Sequence, residues 1–332
     1  MSSLEEIPGR IRRRISNYLG RRTHRSFKLT RRRDVPKNVK IGGYIAFTNH
    51  VWKTLWEFRG IFLRYSAVYI LVATALIGIV QQDQYKAFTD SLNEFGPEIF
   101  GGNLDGVSRT VVLFGAAVTG GMTSPLSEVQ QLNLALLGLL TWLIVVWLLR
   151  QLLAGNSVNV RDGLYNGAAP FVSTLCIALV AMIQAIPAGL AIVVYSTAYS
   201  TGWLSGGAEA MAFGIGALLL IILSLYWMTS TFFAGVIVTL PGTYPMAAMK
   251  SAGDLAFGRR LPLLLRFLWL ILVLALVWAL ILIPVLLIDG ALSVAWLPLV
   301  PVTVQILTTL SVIFGTAYTY LLYRKMVDAD NS

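Results

Sequence analysis

The sequence predicts an all-α membrane protein, a polytopic helical bundle with six transmembrane helices. Three observations predict it: six long apolar stretches, a charged fraction of only 13% with a mean hydropathy of +0.71, and a strong segregation of the basic residues. A hydrocarbon core about 30 Å thick needs about 20 mostly apolar residues as helix. The stretches that meet this requirement are residues 61–80, 132–149, 168–194, 210–240, 263–288 and 297–323.

A soluble helical bundle is the alternative fold, and it would need charged faces between the apolar ones. Residues 267–288, within the fifth stretch, contain no charged side chain. A helix that is apolar on all sides belongs in lipid or in a very large core. The sequence therefore favours membrane spans over buried helices of a soluble protein.

The positions of Lys and Arg predict the orientation of the spans. If each stretch crosses the bilayer once, 24 of the 26 basic residues lie on one side, and only Lys86 and Arg109 lie on the other. Basic residues accumulate on the cytoplasmic side of membrane proteins. We therefore expect a multi-pass protein of the bacterial plasma membrane with both termini in the cytoplasm.

Composition divides the chain into an arm, a membrane domain and a tail. Residues 1–48 are rich in Arg and poor in apolar side chains, which predicts a largely disordered cytoplasmic arm. Residues 49–325 form the six-span domain, and residues 326–332 form a cytoplasmic tail. The external loop 81–131 contains an apolar segment, 107–122, that is too short to cross twice. We expect an interfacial or re-entrant helix there.

The basic arm and one later loop are the candidate lipid-contacting regions. The arginines of the arm have three possible roles. They only set the orientation of the spans, they also bind anionic headgroups, or they bind nucleic acid or a protein partner. No aromatic platform interleaves the arginines, which argues against nucleic acid. Membrane lipids with anionic headgroups are therefore the expected partners. The candidate contacts are Arg12, Arg13, Arg14, Arg31, Arg32, Arg33, Lys250, Arg259 and Arg260.

A sequence repeat predicts three helical hairpins in tandem. Asp162 and Pro170 are eight residues apart ahead of the third span, as are Asp254 and Pro262 ahead of the fifth. Residues 49–64 place Trp and Arg at helical spacing ahead of the first span. We expect a short interfacial helix to lead into each hairpin.

The loop of residues 240–260 resembles one found in membrane proteins related to the membrane domain of glycerophosphodiester phosphodiesterases. The pattern of those families is a Pro, then Ala-Leu and Lys/Arg-Ser, then Leu and Gly-Arg ahead of an apolar span, and this chain has Pro245, Lys250-Ser251, Leu255 and Gly258-Arg259. The overall layout is similar to that of uncharacterised six-span proteins of candidate-phyla bacteria such as Saccharibacteria. The resemblance implies a fold and no activity.

The sequence predicts no catalytic residues, no metal ligands and no cofactor. Phosphodiesterase chemistry needs paired His and several metal-binding carboxylates, and the chain has only His24 and His50, both in or near the arm. Polar residues within the spans, such as Gln184 and Gln305, more often join helices than bind substrate. We therefore expect a non-enzymatic membrane scaffold or envelope component.

A transport permease is the alternative function. In ATPase-coupled importers a cytoplasmic helix with an Ala-Ala, Gly, Leu-Pro pattern docks on the ATPase, and this chain has a similar pattern after the fourth span. The other interpretation is an amphipathic helix whose apolar residues face lipid or the bundle. The candidate coupling or partner residues are Pro245, Ala248, Ser251, Asp254 and Phe257.

Overall fold

The computed structural model describes residues 42–77, 128–201, 207–292 and 299–331. Within these ranges there are nine α-helices and no β-strand, which confirms the all-α prediction. The helices are α1 (Tyr44–Glu57), α2 (Arg59–Ile77), α3 (Glu128–Leu153), α4 (Val160–Gly167), α5 (Phe171–Ser200), α6 (Gly207–Ile237), α7 (Pro245–Ala256), α8 (Arg260–Leu292) and α9 (Leu299–Asn331).

Six of these helices are long and apolar enough to cross a membrane, as predicted: α2, α3, α5, α6, α8 and α9. Helix suits such segments because it satisfies the backbone polar groups within the segment itself. α5 begins at Phe171 rather than at residue 168. Pro170 stands just ahead of this helix, and its carbonyl accepts the hydrogen bond from the Thr174 amide (3.0 Å). A proline fits this position because it has no amide hydrogen to lose.

α6 ends at Ile237 rather than at residue 240, and threonine hydroxyls supply hydrogen bonds at this terminus. Thr239 Oγ1 donates to the Val236 carbonyl (2.7 Å), and Thr243 Oγ1 donates to the Leu240 carbonyl (2.6 Å). Each of these carbonyls also accepts the backbone amide of the same threonine, at 3.2 Å for Thr239 and 3.3 Å for Thr243, so paired hydrogen bonds hold the turns after the helix. Gly242, at φ 77°, then turns the chain toward α7.

Consecutive spans are in contact as three pairs, α2 with α3, α5 with α6 and α8 with α9, and α9 also packs on α3. A short helix stands ahead of each pair, namely α1, α4 and α7. This is the tandem order that the repeat predicts. The two acids of the repeat nevertheless differ in role. Asp162 completes a capping box at the start of α4, where it accepts a hydrogen bond from the Asn159 amide (2.9 Å), whereas Asp254 lies in the last turn of α7.

α1 is amphipathic, but it begins at Tyr44 and ends at Glu57 rather than spanning residues 49–64. One face packs on α8 and α9, and the Phe47 ring meets the Tyr318 ring of α9 edge-on, with 4.9 Å between ring centroids. This packing extends the helix into residues that the sequence assigns to the arm. The buried residues of the inner face are Phe47, Val51 and Thr54.

The main hydrophobic core lies where α3, α6 and α9 end and where α1 packs on the bundle. Fully buried members include Leu149 of α3, Phe233 of α6 and Tyr318 of α9. α9 continues to Asn331, through most of the residues that the sequence assigns to the tail. The helix continues past residue 325 because the Met326 side chain is 1% exposed and packs in this core.

Several sequence predictions concern residues outside the described ranges. They are the headgroup contacts Arg12, Arg13, Arg14, Arg31, Arg32 and Arg33, residues 81–127 of the external loop, and its apolar segment 107–122. The last four residues of the predicted loop, 128–131, form the first turn of α3.

Candidate functional site

Polar contacts bring the ends of several spans together at one end of the bundle. Near the end of α3, Arg150 Nη1 donates to the Thr239 carbonyl just after α6 (3.0 Å), and Nη2 donates to Thr239 Oγ1. Near the start of α8, Arg266 Nη2 donates to the Gly42 carbonyl ahead of α1 (2.8 Å). Tyr318 of α9 donates to the Arg266 carbonyl (3.4 Å).

This end carries every Lys and Arg of the described residues, and we call it the basic end. Among the described residues, the opposite end carries three acids, at the start of α3, the start of α6 and near the end of α8, and no Lys or Arg: Glu128, Glu209 and Asp289. The basic end also carries five acids, but its eleven basic residues outnumber them, so the described bundle is electrically polarised along its spans. These five acids are Glu57, Asp162, Asp254, Asp328 and Asp330. The eleven basic residues are Lys53, Arg59, Arg64, Arg150, Arg161, Lys250, Arg259, Arg260, Arg266, Arg324 and Lys325.

Some of the basic residues are buried in the protein and hold its elements together. Arg266 is 7% exposed, and its guanidinium carbon lies 5.1 Å from the Tyr44 ring centroid and 5.6 Å from that of Phe47. These contacts fasten α1 to α8. Arg259 is 3% exposed, so protein rather than headgroups covers this predicted contact. The burial of Arg259 could not be predicted from sequence, because nothing in a loop sequence distinguishes a buried arginine from an exposed neighbour.

Other basic residues lie at the surface of the described bundle. Lys250 is exposed on α7, and Arg161 is exposed on α4. Arg260 is half-buried, with its guanidinium carbon 5.5 Å from the Tyr226 ring centroid. Arg59 is exposed at the start of α2, 5.2 Å from the Trp56 ring centroid. Each of the three short helices or its junction with a span thus presents a positive charge at the surface.

α7 is fixed to the bundle by a stripe of fully buried alanines, Ala248, Ala252 and Ala256, and it packs on α5 and α6. Ala248 of the predicted coupling set therefore lies in the bundle. Pro245 is half-buried at the first turn of the helix, and the other three members of the set are exposed on the outer side: Ser251, Asp254 and Phe257.

Some polar side chains at depth join helices, as the sequence predicts, whereas Thr229 and Ser230 donate to carbonyls of their own helix. Thr231 of α6 donates to Gln184 Oε1 of α5 (2.7 Å), and Ser224 of α6 donates to the Gln184 carbonyl. Trp142 Nε1 of α3 donates to the Gly235 carbonyl of α6 (3.0 Å). Such bonds are used within the bundle and leave little polarity for a substrate.

A groove of about 700 Å³ runs down the bundle between α1, α2, α8 and α9. Trp52, Trp56 and Arg59 lie at its basic end, and Leu307 and Ile281 line its deeper part. Its lining is almost entirely apolar. Sequence reasoning placed tryptophans of α1 in an interfacial belt but missed the groove, because its walls come from both ends of the chain.

Two observations bear on titratable and metal-binding groups. Partial desolvation, and then the charge of Lys325, lower the pKa of His50 from its ordinary value. Among the described residues, no three His, Cys, Asp or Glu side chains lie close enough together to hold a metal ion.

Comparison of the chain with protein families, with characterised proteins and with solved structures finds no match.

Proposed function

We propose that the chain is a non-enzymatic, multi-pass protein of the bacterial plasma membrane that acts as a membrane scaffold or envelope component. The observation that carries the proposal is the polarised bundle: among the described residues, one end has eleven basic and five acidic residues, and the other has three acids and no Lys or Arg. By the positive-inside rule, the basic end faces the cytoplasm and places both termini there.

The basic end binds the membrane surface through the short helices. Lys53 of α1, Arg161 of α4 and Lys250 of α7 are exposed side chains on three separate helices. A basic residue near an anionic surface contributes about 1 kcal/mol of attraction. Three such contacts around the bundle would gather anionic lipids beside it and hold the short helices at the interface.

The resemblance to the membrane domain of glycerophosphodiester phosphodiesterases, and to six-span proteins of candidate-phyla bacteria, is kept as a hypothesis about ancestry. It covers residues 240–260 in its specific motif, and no family match supports it. We base the scaffold function on the charge distribution alone.

A transport permease with a cytoplasmic ATPase is the second candidate, and one observation favours it. Tyr244, Met246 and Phe257 are exposed apolar side chains around α7, at 78%, 83% and 39% exposure. An ATPase would cover such residues, although lipid at the interface would cover them equally well. The buried alanines of α7 favour the scaffold, because they make the helix part of the bundle wall.

The test of the scaffold function is the lipid composition around the protein. Discs of native membrane cut out around the protein with a styrene–maleic acid polymer should hold more anionic lipid than discs from the bulk membrane. Replacing Lys53, Arg161 and Lys250 together by Gln should lower this enrichment. Equal anionic content in the protein discs and the bulk discs would contradict the proposal. A co-purifying ATPase lost on Phe257→Glu would favour the permease.

A further inference from the structure

The groove between α1, α2, α8 and α9 has the length of a lipid chain. Its lining on α8 extends from Trp269 to Ile281, which is about 18 Å along a helix. One leaflet of the hydrocarbon core is about 15 Å deep. The groove thus starts near the basic end and continues through about one leaflet.

The groove is open along its side. Leu63 of α2, Val277 of α8 and Leu310 of α9 line it and are 61%, 41% and 46% exposed. These helices are long and apolar enough to span a membrane, and in a bilayer their exposed sides face hydrocarbon. An acyl chain can therefore enter sideways from the bilayer without crossing a polar barrier.

Away from the basic end of the groove, the polar side chains in its walls already have hydrogen-bond partners. Trp269 Nε1 donates to Thr48 Oγ1 (3.0 Å), and Trp278 Nε1 beside the groove donates to Ser311 Oγ (2.8 Å). A polypeptide segment in the groove would bring amides and carbonyls into hydrocarbon and would need new partners. An acyl chain needs none, so the walls favour a lipid over a peptide.

The basic end of the groove offers a site for a phosphate. Arg59 lines the groove, is exposed, and lies beside the Trp56 ring. Asn49 adds an amide that can donate a hydrogen bond. Arg is well suited to phosphate because its planar guanidinium presents several donors at once. Tryptophans at the same level are typical of the membrane interface.

We propose that this groove binds one anionic phospholipid from the leaflet at the basic end, with an acyl chain along α8 and α9 and the phosphate at Arg59. The inference rests on the proposed function, because it takes the spans to lie in a bilayer with this end at an anionic surface. It adds a defined lipid site to the general attraction of the short helices for headgroups.

The experiment measures lipid retained by the purified full-length chain in detergent, by native mass spectrometry. The probes are dioleoyl phosphatidylglycerol and dioleoyl phosphatidylcholine, which share acyl chains and differ in charge. The wild-type chain should retain one phosphatidylglycerol in preference to phosphatidylcholine. Arg59→Gln should lower phosphatidylglycerol retention about fivefold and phosphatidylcholine retention less, because choline already neutralises the phosphate of that lipid. Arg324→Gln, which removes an exposed arginine that does not line the groove and is not one of the three headgroup contacts, should change neither.

The acyl part of the site is tested by filling the groove. Val273 lines the groove and is half-buried, so Val273→Trp should lower retention of both lipids. Val193→Trp, on the exposed surface of α5, is the matched control and should lower neither. Leu310→Trp fills the groove from α9 and replaces Val273→Trp if that variant elutes as an aggregate.

Three results would overturn the lipid site. They are the absence of a retained lipid in the wild type, equal losses in Arg59→Gln and Arg324→Gln, and unchanged retention in both groove-filling variants. A dimer that only the groove-filling variants disrupt would assign the groove to a second copy and would also overturn it. Failure of the scaffold function is distinct, since it would abolish the anionic enrichment of the native discs and leave this single-lipid retention in place.

Discussion

The docking of α4 on α3 gives a quantitative prediction for Gly167→Ala. A Cβ atom at Gly167 would lie 3.1 Å from the Ile144 Cα atom and 3.4 Å from the Trp147 Cβ atom. The first distance is shorter than an ordinary contact, and the atom it meets is backbone, which cannot rotate away. Overpacking of this kind costs about 1–3 kcal/mol.

The matched control is Gly189→Ala in α5, where a Cβ atom would meet nothing within 4 Å. That change should stabilise the helix by about 0.5–1 kcal/mol, because alanine loses less backbone entropy than glycine on folding. Gly167 is also helical, so Gly167→Ala receives the same entropy gain and the overpacking cost is the difference between the two variants. We therefore expect Gly167→Ala to unfold more easily than Gly189→Ala, by about 1–3 kcal/mol. The measurement is unfolding of the purified protein by increasing sodium dodecyl sulfate, followed by tryptophan fluorescence. Equal free energies of unfolding for the two variants would refute the close packing of α4 on α3.

Three further predictions use the same unfolding measurement. Gln184→Leu removes the hydrogen bond from Thr231 and should cost about 0.6 kcal/mol, whereas an unchanged midpoint would show that the bond contributes nothing. Ala252→Glu places a charge in the buried stripe of α7 and should cost at least about 3 kcal/mol, while Phe257→Glu, on the exposed side, should cost much less. Similar costs for the two would mean that α7 does not pack as described. The lowered pKa of His50 means that the folded protein binds its proton less readily than the unfolded chain does. The contribution of unprotonated His50 to the stability of the fold is therefore complete above pH 6.5. This contribution is lost as the pH falls through the lowered pKa of the folded state. His50→Gln should remove that part of the acid destabilisation, and an identical pH profile would contradict the assignment.

The spans and their tandem order could be predicted from sequence because each depends on local composition. A run of apolar residues such as 267–288 specifies a span without help from the rest of the chain. The short helices could also be predicted, from Trp and Arg spacing ahead of the first span and from the repeated loop ahead of the others.

The start of α1 and the burial of Arg259 could not be predicted, because both depend on contacts between distant residues. Phe47 extends α1 by packing on Tyr318, which lies in the last span. Arg259 and Arg260 are neighbours in sequence, yet the first is buried and the second half-buried. The groove was missed for the same reason, since Trp56 and Phe314 line it from opposite ends of the chain.

The orientation of the bundle is the central claim, and cysteine accessibility tests it most directly. The single native cysteine, Cys176, is first replaced by Ser, and then Ser2→Cys, Ser91→Cys and Thr201→Cys are made one at a time. A membrane-impermeant thiol reagent applied to intact cells should label the cysteines at positions 91 and 201 and leave the one at position 2 unlabelled until the cells are opened. Labelling at position 2 in intact cells, or no labelling at both of the others, would contradict the orientation and the function proposed from it.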